Sequence, residues 1–354
     1  MAKIWTVCKD PGGTNGIIPV NEELTKMNHH ARLVATGNAL ERLPLSKIKF
    51  YTLEEALEID LLPDIFITSM CQRGGVGRNL IPLMKASGIP VITVQDIWGG
   101  QLIPEWEDSK FRPDYICVND EINTEAVRRA WPEFKEDKII TTGFPALDRY
   151  AGYDISSISE RARSGLNIPK NGFVVLYCDQ IDFAGDMVLE VIEALNKINN
   201  DNVYFIPRMH PRLKKESPEE LPKWEKAMTK FSGGTLIKES QEYSTSDIVA
   251  ASDVVLSMFS TVNIEAATLR KPNICIMYPD MGMALYTKAC GKVTDDFPLI
   301  SLGCSKKVTT RRGLTEALDQ SIFGDLGLRH NQEKTFRLDG KNASRVADLV
   351  ASLV

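Results

Sequence analysis

Two open parallel sheets, each wound with helices on both faces and facing one another across a cleft, are the α/β fold that this sequence predicts. Three observations carry the expectation. Short runs that are apolar throughout alternate with amphipathic stretches along the whole 354-residue chain. Strands without polar alternation are buried on both faces, as in a parallel sheet covered by helices. The length exceeds what one core usually holds and fits two domains, and the stretch 143–159, GFPALDRYAGYDISSIS, breaks both periods and supplies a link between them.

In the first half, strands are expected over 4–8, 32–36, 65–69, 90–94, 115–118 and 138–142, with helices over 17–27, 77–87 and 122–130. The second half repeats the scheme, with strands over 173–178, 203–207, 235–237, 253–256 and 273–277 and helices over 186–198, 218–231, 245–251 and 262–269. A last helix over 342–353 spaces Val346, Leu349, Val350 and Leu353 along one face. The domains that follow are 1–150 and 151–340, with the helix of 341–354 crossing back to the first. In such sheets ligands bind at the C-terminal edge of the strands, so loops from both domains are expected to share one site.

Composition narrows the classes. Net charge is -5, with 43% hydrophobic and 25% charged residues, so no global basic field argues for a nucleic-acid partner. The seven cysteines include no C-x-x-C pair, and Cys8, Cys117, Cys178 and Cys275 sit in apolar runs, which reads as small buried hydrophobes rather than disulfides or zinc ligands. The opening MAKIWTVCKD is a strand and a turn, and no apolar run is long enough to span a bilayer. Cytoplasmic residence is expected, with peripheral membrane association left open.

The stretch 246–279 says most about chemistry. It reads as helix, apolar strand, a Ser260-Thr261 turn, a second helix and a second strand. Ser260 is a good N-cap, and the first amides of the following helix lack internal partners and carry the positive end of its dipole, so the turn suits a phosphate. Glu265, one turn further, is placed to accept hydrogen bonds from a ribose. Together these suit a nucleotide diphosphate as donor substrate, with the base unknown and no resident cofactor.

Other strand ends add candidates. After the first strand, Asp10-Pro11-Gly12-Gly13-Thr14 departs from G-x-G-x-x-G and has no P-loop lysine, yet its glycines would let amides approach a ligand; an ordinary strand-to-helix turn is the plain alternative. Arg73, among the glycines after the third strand, would clamp an anion or be a solvated loop charge. Asp96 ends the fourth strand and is the favoured general base, with Glu105 and Glu107 competing and a helix-cap role as the alternative. His210, of four histidines, follows a buried strand between Arg208 and Arg212, an electropositive loop suited to a pyrophosphate. The adjacent Asp295 and Asp296 find no evident third ligand, so no metal site is assigned.

In order along the chain, KIITTGFPALD at 138–148, the strand at 174–178, His210-Pro211, FSTVNIEA at 259–266 and Lys271-Pro272 resemble the GT-B superfamily of nucleotide-sugar enzymes, built from two Rossmann-like domains. Within it the chain looks most like the CDP-glycerol glycerophosphotransferase and capsule-polymer glycosyltransferase branch, related to UDP-N-acetylglucosamine 2-epimerase. The resemblance implies metal-independent transfer of a sugar or glycerophosphate-type group from a nucleotide donor to a hydroxyl of a glycan, lipid-linked or small-molecule acceptor. It implies donor binding by Ser260, Thr261 and Glu265 in the second domain, with His210 facing the donor phosphates and the Gly12-Gly13 loop on the acceptor side. The H-R-R-E-N-type element of the epimerase is absent, since the strand ending at Cys178 continues as Asp179-Gln180-Ile181-Asp182, which places transferase ahead. An epimerase or hydrolase, and a non-catalytic nucleotide-binding module, stay as alternatives; the oligomeric state is open.

Overall fold

The computed structural model describes residues 1–46, 48–70, 74–237, 243–291, 293–336 and 338–354. Its strands are β1 Lys3–Cys8, β2 His30–Ala35, β3 Ile65–Ser69, β4 Val91–Val94, β5 Tyr115–Val118, β6 Ile139–Thr141, β7 Phe173–Cys178, β8 Val203–Arg208, β9 Thr235–Leu236, β10 Val254–Ser257, β11 Asn273–Ile276 and β12 Lys306–Val308. They form two six-stranded sheets, ordered β2-β1-β3-β4-β5-β6 and β12-β11-β10-β7-β8-β9. Every strand pairing in both is parallel. Among the described residues no helix is long and apolar enough to cross a membrane.

The chain forms two compact units, one of Met1–Ala151, Thr287–Val293 and Leu338–Val354, the other of Gly152–Tyr286 and Thr294–Arg337. In the first, side chains of β1 alternate between two cores. Ile4 and Cys8 join Ile17, Leu24, Val346 and Val350 on one face, while Trp5 and Val7 join Phe66, Ile81, Trp106 and Trp131 on the other. A sheet buried on both faces needs this arrangement, and each such aliphatic or aromatic side chain contributes about 1.5–3 kcal/mol through burial. In the second unit Val174, Val175 and Leu176 of β7 are fully buried, as are Met187 and Val191 of helix Ala184–Ile198.

Several elements differ from the sequence expectation. Pro11 to Gly16 is not a loop but the first turns of helix Pro11–Lys26; proline at the first helical position has its φ preset and needs no amide partner. Helix Ile155–Gly165, capped by Asp154, occupies part of the expected link. β12 was not expected: it is an edge strand of which only Val308 is buried, so two lysines mask the pattern. Helices Leu53–Ile59, Gly282–Cys290, Arg311–Phe323 and Arg329–Thr335 also lay outside the expectation.

The short segment Thr287–Val293 seats on the first unit by close approach. A Cβ on Gly99, whose φ is +87°, would lie 2.3 Å from the Cys290 carbonyl oxygen, so only glycine fits there. Arg129 Nη2 donates to the Val293 carbonyl at 3.0 Å.

The C-terminal helix Asn342–Ala351 packs on helix Pro11–Lys26 and has no cap of its own, since Lys341 precedes it. Asp148, distant in sequence, does that work. Its carboxylate accepts from the Asn342 amide at 3.0 Å, the Ala343 amide at 2.7 Å and Asn342 Nδ2 at 2.7 Å. Asp148→Ala should therefore cost about 1–2 kcal/mol, read as faster hydrogen exchange at the amides of Asn342–Ala351; unchanged exchange would show that packing alone holds the helix.

Candidate active site

In the second sheet the strand order reverses between β7 and β10. The chain leaves β7 for β8 and β9 on one side, then returns to place β10, β11 and β12 on the other. Crossovers therefore depart to opposite faces at that point, and in doubly wound sheets ligands bind at such a reversal, at the C-terminal strand ends, here those of β7 and β10. The loops that emerge there and from neighbouring β8 hold Asp179-Gln180, Phe259-Ser260 and Met209 to Arg212, with Arg208 ending β8 and Thr261 opening the next helix.

Ser260 is the N-cap of helix Thr261–Thr268, and its Oγ accepts from the Val262 amide at 3.3 Å. Buried, apolar β10 stops at Ser257, so the cap falls just past the sheet edge. Thr261 is exposed and Ser260 half-buried. Glu265 is half-buried on the same helix, and its Oε2 accepts from Ser246 Oγ at 3.2 Å.

The neighbouring loops are tied to this one. Gln180 Nε2 donates to the Phe259 carbonyl, and the Asp179 amide donates to the Arg208 carbonyl at 3.0 Å. Asp179 is 4% exposed; its Oδ1 accepts from Tyr177 OH at 2.6 Å and from the Gln180 amide at 2.9 Å. Burial, first, holds this carboxyl well above the usual range. Sequence reasoning passed over Asp179 and Gln180, because nothing in a single strand's pattern shows that the sheet reverses beside it.

His210 lies in a half-buried loop whose carbonyl accepts from the Leu213 amide at 2.9 Å. Its Nδ1 accepts from the Arg212 amide at 3.2 Å. A neutral ring with Nδ1 as acceptor carries its proton on Nε2. Burial, and then the Arg212 charge, lower its pKa to about 4. His210 is therefore a neutral N–H donor near pH 7, suited to a phosphate oxygen. Arg212 in turn pairs with Glu216 at 2.8 Å.

The first unit holds the remaining candidates except Arg73, which lies outside the described residues. Asp96 follows β4 and its carboxylate rests on the start of helix Pro11–Lys26: a Cβ on Gly12 would lie 2.5 Å from Asp96 Oδ2. Burial is the main cause that raises the Asp96 pKa to about 7; the Asp10 charge adds to it, and the Asp96 and Ile97 amides oppose it. Gly13 and Thr14 are buried within the helix, with Thr14 Oγ1 donating to the Asp10 carbonyl at 2.8 Å. Glu105 lies half-buried in a short turn whose carbonyl accepts from Arg78, and Glu107 is exposed.

The state of His210 is directly measurable. Its ring should titrate near 4 by NMR rather than near 6.5. Because the unfolded chain takes up that proton first, the His210 contribution to stability should be lost as pH falls from 6.5 towards 4. A ring titrating near 6.5 would contradict the assignment.

Comparison with solved structures agrees with this fold. The UDP-GlcNAc 2-epimerase from Neisseria meningitidis bound to UDP-GlcNAc matches with a TM-score of 0.71 at 16% identity, covering 99% of this chain and 100% of that one. The S. aureus MnaA structure with UDP matches at 0.71 and 16%, over 100% and 98%. The wall teichoic acid polymerase TagF matches at 0.63 and 15%, over 98% and 88%. These likenesses show the GT-B fold. No curated protein matches the chain by sequence. A family model does match, over residues 94–352, most of the length: the chain belongs to the CDP-glycerol:poly(glycerophosphate) glycerophosphotransferase family.

Proposed function

We propose that this chain transfers a glycerophosphate-type group from a nucleotide-diphosphate donor, CDP-glycerol first, to an acceptor hydroxyl during assembly of a glycan or polyol-phosphate polymer. The observation that carries the reading is the family match, which takes in both Asp96 and all three loops at the β7/β10 reversal. Among the structural relatives, one holds UDP-GlcNAc, one holds UDP and a TagF variant was soaked with CDPG, all nucleotide-linked in kind.

The acceptor oxygen forms a bond to the distal phosphorus, the bridging P–O bond breaks, and CMP departs with the electron pair. The acceptor's proton passes to a carboxylate of the first unit, Asp96 ahead of Glu105 and Glu107. A carboxyl titrating near 7 is ionised enough to accept a proton and basic enough to hold it. Asp10, Gly12 and the turn they open support Asp96, with Gly13 and Thr14 serving the helix beneath.

The second unit meets the donor. His210 Nε2–H and the Ser260 hydroxyl donate to phosphate oxygens, the first-turn amides at Thr261 add their dipole, and Arg208 and Arg212 take up the charge that builds on the leaving CMP. Glu265 accepts from ribose hydroxyls. Using a neutral histidine keeps this donor constant through the pH range in which Asp96 titrates. The acceptor is a glycan, a lipid-linked or a small-molecule hydroxyl.

A second reading, sugar transfer or epimerisation of a nucleotide sugar, is favoured by the 2-epimerases among the structural relatives. The released nucleotide separates the two. Phosphoryl transfer from CDP-glycerol should release CMP, whereas a nucleoside diphosphate released from UDP-GlcNAc would favour the second reading.

The pH dependence carries its own signature. Turnover should rise as pH passes about 7, the Asp96 value, and Asp96→Asn should lower kcat about 10²–10⁴-fold and abolish that dependence. Stability should move oppositely: the folded state holds the Asp96 proton that the unfolded chain releases above 3.8, so stability should fall between 3.8 and about 7. Full turnover by Asp96→Asn would remove it as the base.

A further inference from the structure

The C-terminal edge of the first sheet carries a polar group that the mechanism above leaves idle. Asn119 directly follows β5 and is 6% exposed. Neither its Nδ2 nor its Oδ1 has a hydrogen-bond partner among the described residues. Buried side-chain amides are nearly always bonded, so one left open at both ends asks what completes it.

The backbone around it is fixed on both sides. The Val118 carbonyl accepts from the Thr142 amide at 2.9 Å and the Gly143 amide at 3.3 Å. Asp120 accepts from Trp98 Nε1 at 2.8 Å and from the Asn123 amide at 3.0 Å. The register that pairs Val94 with Cys117 brings Asp96 and Asn119 out at the same edge, on adjacent strands. The nearby buried amide Gln95 differs in degree, since its Nε2 donates to Gln101 and only its Oε1 lacks a partner among the described residues.

A carboxamide presents one donor and one acceptor side by side in a plane. That pair matches a vicinal diol, in which one hydroxyl donates to Oδ1 and its neighbour accepts from Nδ2. A glycerol unit esterified at one end carries such a diol. We infer that Asn119 recognises the vicinal diol of the acceptor, presenting one of its hydroxyls at the sheet edge that also bears Asp96. The inference rests on the reading of Asp96 as the group that serves an acceptor hydroxyl.

Binding measured without any donor tests it. Glycerol 3-phosphate has the diol, and 3-hydroxypropyl phosphate lacks its central hydroxyl. By calorimetry or ligand-observed NMR the wild-type chain should bind the first about tenfold more tightly than the second, as expected for lost bonds to a buried amide. Asn119→Ala and Asn119→Leu, which remove both the donor and the acceptor without adding charge, should each erase that preference while binding 3-hydroxypropyl phosphate as the wild type does. Equal affinity of the wild-type chain for both probes, no binding of glycerol 3-phosphate, or a preference retained in the variants would overturn the inference. The wild-type comparison stands even where a variant fails to fold. CMP release from CDP-glycerol tests the transferase reading separately.

Discussion

A parallel sheet in which the strand order reverses has a place where adjacent strands send their connections to opposite faces, and the second unit is organised around that place. Between β7 and β10 the connections leave on opposite faces, which sets the start of helix Thr261–Thr268, with Thr261 exposed, at the strand ends where ligands bind. Ser260 caps through one early amide. The bond from Gln180 to the Phe259 carbonyl and that from the Asp179 amide to the Arg208 carbonyl then fix three loops against each other. Preorganised amides and hydroxyls of this kind stabilise a developing phosphate charge without reorganising at the moment of reaction.

Both units keep polar groups at their sheet edges in states that folding alone would not favour. Asp179 is a buried carboxyl held well above its usual range, His210 a ring held neutral, and Asp96 a carboxyl raised to about 7. Burial is the first cause in each case, and each shift means that the charged form is costlier in the folded chain than in water. Asn119 adds an amide with both ends open. Costs of this sort gathered at the strand ends where ligands bind are what a site for chemistry looks like in thermodynamic terms.

Much of this was legible in the residues, for identifiable reasons. Strands such as β7 and β10 show because both faces are buried, which removes polar alternation. Ser260 shows because a hydroxyl directly before a helical pattern has one common use. His210 shows because it follows a buried strand between two arginines, and Glu265 because it lies one turn beyond the capping serine; the family resemblance adds their roles toward the donor. What stayed hidden depends on relations across the chain. Strand order, and with it the importance of Asp179 and Gln180, follows from crossovers that no local pattern records. The capping of the last helix by Asp148 joins residues almost two hundred positions apart. β12 is an edge strand rich in lysine, and Pro11 to Gly16 looks like a loop because its glycines answer to Asp96 and buried packing rather than to a turn.

On this reading a donor pyrophosphate sits at the β7/β10 reversal. A crystal structure of the chain soaked with CDP-glycerol tests it most directly. Phosphate oxygens should lie within hydrogen-bond distance of the Thr261 amide, the Ser260 hydroxyl and His210 Nε2. Density for the pyrophosphate at any other strand end, with those three groups bound only to water, would contradict it.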